Sequence, residues 1–343
     1  MSWTLHAIGE FDRLQPDWER LNRASGASPL LATDFVVPLV REFAGAGEIL
    51  ACRHRDGQLC AMVILTPQGR GRWQTFQPSQ APLGICVHDG LPDWQAGLAR
   101  LLLKLPGMAL TLGVTQQDPA LQARPANGAT LATLDYIRTA SITLGGTFAQ
   151  YWNARGKNLR QNMKKQRARL EKEAIVTRLE ISTEPAQMAL AVADYGRLES
   201  AGWKGERGTA IHPDNPQGRF YRSMLERFCS NGRGRVFRYW YDDRLVAMDL
   251  CIEGDDHIVI LKTTYDESIG NTTSPALLMR QEAFALLFGE PRLKRIEFFG
   301  KLMEWHARWS EETRTMYHFT LYRWSALLLF RKLLRHRVNQ PTD

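Results

Sequence analysis

The stretch from Arg244 to Gly300 constrains the fold more than any other part of the chain. Leu245-Val246-Ala247-Met248-Asp249-Leu250-Cys251-Ile252 is apolar and alternating, Gly254-Asp255-Asp256 supplies a turn, and His257 to Tyr265 is rich in β-branched residues. Two such runs across a short polar turn predict a β-hairpin. The polar loop from Asp266 through Gly270 and Thr273 then runs into Ser274-Pro275-Ala276-Leu277-Leu278-Met279, and the apolar series continues to Phe288. This predicts a largely buried helix that Ser274 is placed to cap, with Pro275 in the first turn, where a missing N–H costs nothing. A strand ending in Glu297-Phe298-Phe299-Gly300 closes the unit. A polar loop feeding the positive end of a buried helix lets a backbone receive a phosphorylated ligand without a lysine-bearing nucleotide loop.

The first half carries a fainter copy of this order. Glu48 to Arg55 and Leu59 to Pro67 flank Asp56-Gly57, the strongest short-range hairpin signal there. A helix from about Asp93 to Lys104 and a strand from Met108 to Val114 follow, and Gly128 to Leu144 holds another strand or two. Helices alternate with strands in both halves, which predicts an α/β, or mixed α+β, architecture. The 343 residues suffice for two ordinary domains. We expect residues 1–150 to form the first, as a degenerate copy, residues 151–325 the second, with the ligand site, and 326–343 a terminal helix and tail.

Several classes are excluded on composition. No eighteen consecutive residues are apolar, so no membrane span is expected, and the start Met1-Ser2-Trp3-Thr4-Leu5-His6 does not read as a secretory signal. The five cysteines, Cys52, Cys60, Cys86, Cys229 and Cys251, are scattered without metal-ligand spacing, as in buried thiols of a reduced, cytoplasmic compartment. The net charge of +8 is largely local: Arg160, Lys164, Lys165, Arg167, Arg169 and Lys172 surround an apolar stripe of Leu159, Met163 and Leu170. Such a helix is a solvated face, a nucleic-acid or anionic-membrane contact, or one wall of a polyanion-binding cleft. No DNA-binding motif accompanies the charge, and no DNA contact is expected. The C-terminal run Ser325 to Arg337 is apolar with a basic end, too short to span a bilayer; it packs on a domain or makes a weak membrane-surface contact.

In order along the chain come Asn158-Leu159-Arg160-Gln161-Asn162-Met163-Lys164-Lys165, Trp203-Lys204-Gly205, Lys262-Thr263-Thr264-Tyr265-Asp266-Glu267, Ser274-Pro275, Phe299-Gly300 and Trp305 to Trp309. In this order and spacing they resemble acyltransferases of the Gcn5-related (GNAT) superfamily, in the CelD-like branch related to the FemAB peptidyl transferases. The resemblance covers roughly Tyr151 to Tyr322 and reaches weakly into the first half. It implies tandem GNAT-like acyl-CoA N-acyltransferase domains. The cofactor would be acetyl-CoA or another acyl-CoA, and the acceptor a small amine or amino sugar, in polysaccharide or cell-envelope biosynthesis. The FemAB relatives use aminoacyl-tRNA, which would give the basic helix a purpose. A non-catalytic binding protein on the same fold is the third reading. Two positions depart from the family: Ala276 where glycine often follows Ser-Pro, and His306 where lysine is usual after the tryptophan.

Gly270, Thr273, Ser274, Ala276 and Leu277 are the implied cofactor-binding residues, and Trp203, Lys204, Lys262, Glu297 and Trp305 the implied substrate-binding ones. For catalysis, Asp249 orients or deprotonates the acceptor amine, with Tyr265 as acid and His306 as base or anion contact. A carboxylate in an apolar strand needs a partner, or else Asp249 lies on the wet face of an edge strand. Glu297 contacts a ligand at its strand end or pairs with Arg295 or Lys294.

Overall fold

The computed structural model describes residues 2–201, 210–269 and 273–338. In chain order the elements are β1 (Ser2–Ala7), α1 (Phe11–Ala24), α2 (Thr33–Phe43), β2 (Ile49–Arg55), β3 (Gln58–Pro67), β4 (Arg72–Thr75), β5 (Cys86–His88), α3 (Trp94–Lys104), β6 (Thr111–Gln117) and β7 (Leu131–Thr143). There follow α4 (Phe148–Asn153), α5 (Lys157–Lys172), β8 (Thr177–Ser182), α6 (Met188–Ser200), α7 (Pro216–Ser230), β9 (Gly234–Tyr241), β10 (Arg244–Glu253) and β11 (His257–Tyr265). The remainder is α8 (Pro275–Phe288), β12 (Arg295–Glu297), α9 (Glu304–Trp309), β13 (Thr313–Tyr322) and α10 (Ser325–Val338).

The chain divides into two compact units, residues 1–138 with 314–343, and residues 139–313. Within the first, β1, β2, β3 and β4 pair antiparallel in that order, β4 pairs parallel with β6, and β6 pairs antiparallel with β13. Within the second, β8, β9, β10 and β11 pair antiparallel, β11 pairs parallel with β12, and β12 pairs antiparallel with the end of β7. Each unit therefore has a run of four antiparallel strands, one parallel pairing across a helical crossover, and one closing antiparallel strand; the first unit adds the short β5 against β3. The closing strands come from outside the expected halves: the second unit takes the end of β7 from before its first helix, and the first takes β13 from the far end of the chain. This is why the packed units divide within β7 and at the start of β13, rather than after 150 and 325.

Local sequence accounts for most of the elements. Asp56 and Gly57 both have positive φ, 53° and 81°, as the tight turn between right-twisted strands requires. The second-unit core alternates along its strands: Phe237, Tyr239, Ala247, Cys251, Ile258 and Ile260 share a face with Leu278, Met279, Phe284 and Leu287 of α8 and with Leu159, Met163 and Leu170 of α5. α6 and α7 pack on the same strands, and the alternation of the pleat assigns them to the other face. The apolar stripe of α5 is thus core, and its basic residues either pair or face solvent. Arg167 binds Gln281 and Glu282 of α8, whereas Lys164 and Lys165 are exposed. Among the described residues no helix is long and apolar enough to cross a membrane.

Candidate functional site

The hairpin β10–β11 sets up the site. Asp249 lies opposite Thr263, Leu250 opposite Lys262, and Cys251 opposite Ile260, so Leu261 is an extra residue that bulges from β11. On its other edge β11 pairs with β12 over three residues, from His257↔Arg295 to Val259↔Glu297. Beyond that register the two parallel strands part. The opening is a cavity of about 440 Å³, lined on one side by Ile260 to Thr263 and Tyr265 and at its mouth by Ser274, Ala276 and Leu277 of the α8 start. Its far wall is Phe298, Gly300, Met303, Trp305, His306 and Arg308, and Arg280 of α8 reaches into it. Seven of the residues implied by the sequence therefore meet here: Lys262, Tyr265, Ser274, Ala276, Leu277, Trp305 and His306.

Arg280 went unnoticed in the sequence. It is 3% exposed, it donates from Nη2 to Thr263 Oγ1 at 2.8 Å, and its guanidinium carbon sits 3.9 Å over the Trp305 ring. Thr263 in turn donates to Asp249 at 2.5 Å, and Arg280 Nε lies 4.0 Å from the Asp249 carboxylate. The signal was a basic residue in a largely apolar helix, one turn past Ala276. Asp249 is 1% exposed on an interior strand, so the edge-strand reading falls and the required partner is found. Burial raises the Asp249 carboxyl pKa, and the Arg280 charge and the Thr263 hydroxyl oppose that rise. Burial lowers that of Arg280, against the pull of Asp249.

Past the bulge, the pleat places two neighbouring polar groups on opposite faces. Lys262, next to Thr263 on the strand, turns toward α6 and α7, where its Nζ lies 3.3 Å from Glu199 and over the rings of Tyr195 and Tyr221. Tyr265, at the strand end, is 46% exposed at the cavity mouth. His306 is 3% exposed, and its Nδ1 accepts the Met303 backbone N–H at 2.9 Å, which leaves the ring proton on Nε2. Burial and the nearby Arg280 push its pKa down to about 4. At neutral pH it is an uncharged hydrogen-bond donor, neither a charged anion contact nor a base matched to that pH.

The far wall is held firmly. The α9 carbonyl at Trp309 accepts from Tyr151 Oη at 2.6 Å and Arg155 at 3.0 Å, while the buried Trp309 ring packs on Phe284 and Trp152. Phe299 has φ of 46°, a strained conformation for an aromatic residue, and the Gly300 N–H closes back on the Phe298 carbonyl at 2.5 Å. Ser274 precedes α8 but its side chain makes no cap bond; its backbone N–H instead donates to Gln166 Oε1 of the basic helix at 2.7 Å. Glu297 is buried, ion-paired with Arg295 at 2.5 Å and outside the cavity lining. Thr273 lines a separate hollow with Tyr241, Asp242 and Arg244. Trp203, Lys204 and Gly270 lie outside the described residues.

Residues 157–307, from α5 through α9, match the family model described as an acetyltransferase (GNAT) domain. They form a GNAT acyltransferase domain. Solved structures share its wider fold. FemX matches at 10% identity and a TM-score of 0.56, over 96% of this chain and 99% of that one. The C-terminal domain of a protein assigned as a lysylphosphatidylglycerol synthetase from Agrobacterium fabrum matches at 15% identity and 0.55, over 94% and 97%. A conserved protein of unknown function from Bacteroides thetaiotaomicron matches at 7% and 0.54, over 94% and 99%. At such identities the likeness is one of fold. No curated protein matches the chain in sequence. The GNAT domain contains every lining residue of the parted-strand cavity except Arg308, one residue beyond the match.

Proposed function

We propose that the GNAT domain transfers an acyl group from an acyl-CoA, acetyl-CoA in the simplest case, to a small amine or amino sugar, in polysaccharide or envelope biosynthesis in the cytoplasm. The observation that carries this is the cavity between β11 and β12, which opens at the start of α8. A thioester arm fits between strands whose ladder has ended, with phosphates at the positive end of a 14-residue helix and beside Arg308. In transfer, the amine nitrogen attacks the thioester carbonyl carbon, the carbonyl oxygen takes the electron pair, and the C–S bond then breaks. The thiolate leaves, and the proton lost by nitrogen ends on sulfur. Such chemistry leans on positioning and on donors aimed at the oxygen. Tyr265 at the mouth is the nearest candidate to deliver a proton to the departing sulfur. Lys262 pairs with Glu199 of α6 on the side of the sheet that α6 and α7 cover, and the pair suits an acceptor that carries both an amine and an acid.

We test this by native mass spectrometry with acetyl-CoA, longer acyl-CoAs and CoA. One copy retained per chain, together with a rise in the thermal midpoint, is expected; absence of both for every CoA species overturns the reading. A second reading, transfer from aminoacyl-tRNA, is favoured by the exposed lysines of α5 and the resemblance to FemAB proteins. It predicts salt-sensitive tRNA retention that Lys164→Ala with Lys165→Ala abolishes. The first unit we take as a degenerate copy that binds no acyl donor.

A further inference from the structure

Arg280 is a buried cation that faces a cavity with part of its donor set unused. Nη2 is committed to Thr263, and Nε, buried and without a hydrogen-bond partner, lies 4.0 Å from the Asp249 carboxylate, while the side chain as a whole lines the cavity. A buried donor left unsatisfied is costly. The guanidinium is also fixed in plane by the Trp305 ring at 3.9 Å and by the Thr263 hydroxyl, which Asp249 orients in turn. It therefore offers a rigid donor at the level where β11 and β12 have just parted.

We infer that Arg280 is a catalytic residue: it donates to the carbonyl oxygen of the bound acyl donor and holds the negative charge that collects there when the amine adds. Thr263 and Asp249 are its positioning residues. The assignment rests on the acyl-CoA reading above. Charge selects a carbonyl over a carboxylate as the occupant. Asp249 already balances Arg280, and Glu199 lies against Lys262, so the inner cavity is near neutral and the excess positive charge sits at the rim with Arg308. A neutral oxygen that becomes negative only during reaction gains most from such a donor. A permanent carboxylate would compete with Asp249.

The test uses the full chain with acetyl-CoA labelled with ¹³C at its carbonyl, and unacylated CoA. The wild type should bind both, prefer acetyl-CoA, and shift the labelled carbonyl stretch to lower frequency. Arg280→Met combined with Asp249→Asn removes both charges together, which avoids leaving a buried one unpaired. This pair should bind CoA as the wild type does, but bind acetyl-CoA about tenfold or more weakly, with the carbonyl band back near its solution frequency. Arg280→Lys should restore part of the band shift, and Thr263→Val should broaden it. An unshifted band in a wild type that binds acetyl-CoA overturns the inference and leaves the acyl-CoA reading intact. Failure of the wild type to bind either ligand overturns both. A strong preference for succinyl-CoA that vanishes in the Arg280 variant shows that Arg280 reads a carboxylate, and also overturns the inference.

Discussion

The two units make the same parallel pairing and treat it in opposite ways. In the second, β11 and β12 part after Val259↔Glu297 and leave a cavity beside a helix start with no acidic side chain in its first turn. In the first, β4 and β6 are in register through Gln74↔Gly113, and the next residues stay joined: Thr75 and Thr115 hydroxyls meet at 2.6 Å, and the Thr115 N–H donates to Thr75. Gly84 is wedged against both, so close that a Cβ there would lie 2.4 Å from the Thr115 carbonyl oxygen. The helix that follows begins after Asp93, which holds Arg53 and Arg100 at 2.6 Å each. The first unit does have a cavity of about 390 Å³, lined by Gln74, Thr115, Asn127, His318, Leu328 and Arg331 among others, but α3 contributes nothing to it. A strand gap and a free helix end coincide in one unit only. At this gap the two units thus differ by a single glycine-bearing segment and one carboxylate.

Closing the open gap should have the largest effect. Ala276→Phe puts a ring at the cavity mouth, and acetyl-CoA affinity by calorimetry should fall by roughly a hundredfold or more with the thermal midpoint little changed. Prying at the closed gap comes next. Gly84→Ala should cost about 1–3 kcal/mol in denaturant unfolding, because the obstructing atom is backbone, and should leave acetyl-CoA binding untouched. If it weakens binding instead, the claim that only one unit holds the donor is wrong. Giving the open unit the acid of the closed one is milder: Ser274→Asp should weaken acetyl-CoA by about tenfold, and less at high salt.

The smallest effect concerns pH. The unfolded chain protonates His306 near its ordinary value of 6.5, while the folded chain resists until about 4. Stability should therefore fall as pH drops through that window. His306→Gln should make the fall shallower, though not abolish it, since His88 and His318 are also lowered by burial. An unchanged slope would mean that His306 does not titrate as its surroundings dictate. For the same reason no limb near pH 6.5 in the rate profile should belong to His306.

Much of this was legible where the chemistry is local. Asp56-Gly57, the alternation of β10 and β11, and Pro275 ahead of an apolar run each announce an element through the backbone's own preferences. The single strand β7 was harder, because its exposed and half-buried stretch before Thr139 lacks a clean alternation. The Asp249–Thr263–Arg280 connection was out of reach. It depends on a strand register with a bulge at Leu261, and on a helix face that only packing decides. Glu297 shows the converse: a strand end beside a cavity is a good address for a contact, yet this residue is outside the cavity lining and meets Arg295.

The exchange of closing strands carries a consequence for how the molecule is made. As the chain emerges during synthesis, the second unit has its closing strand in hand before its own first helix appears, and can seal its sheet once β12 is out. The first unit, begun earlier, keeps the β6 edge open until β13, some two hundred residues later, arrives. The older half of the nascent chain is thus the last to finish. A chain stopped short of Thr313 would keep every strand of the GNAT sheet, yet remain exposed along one edge of its partner unit.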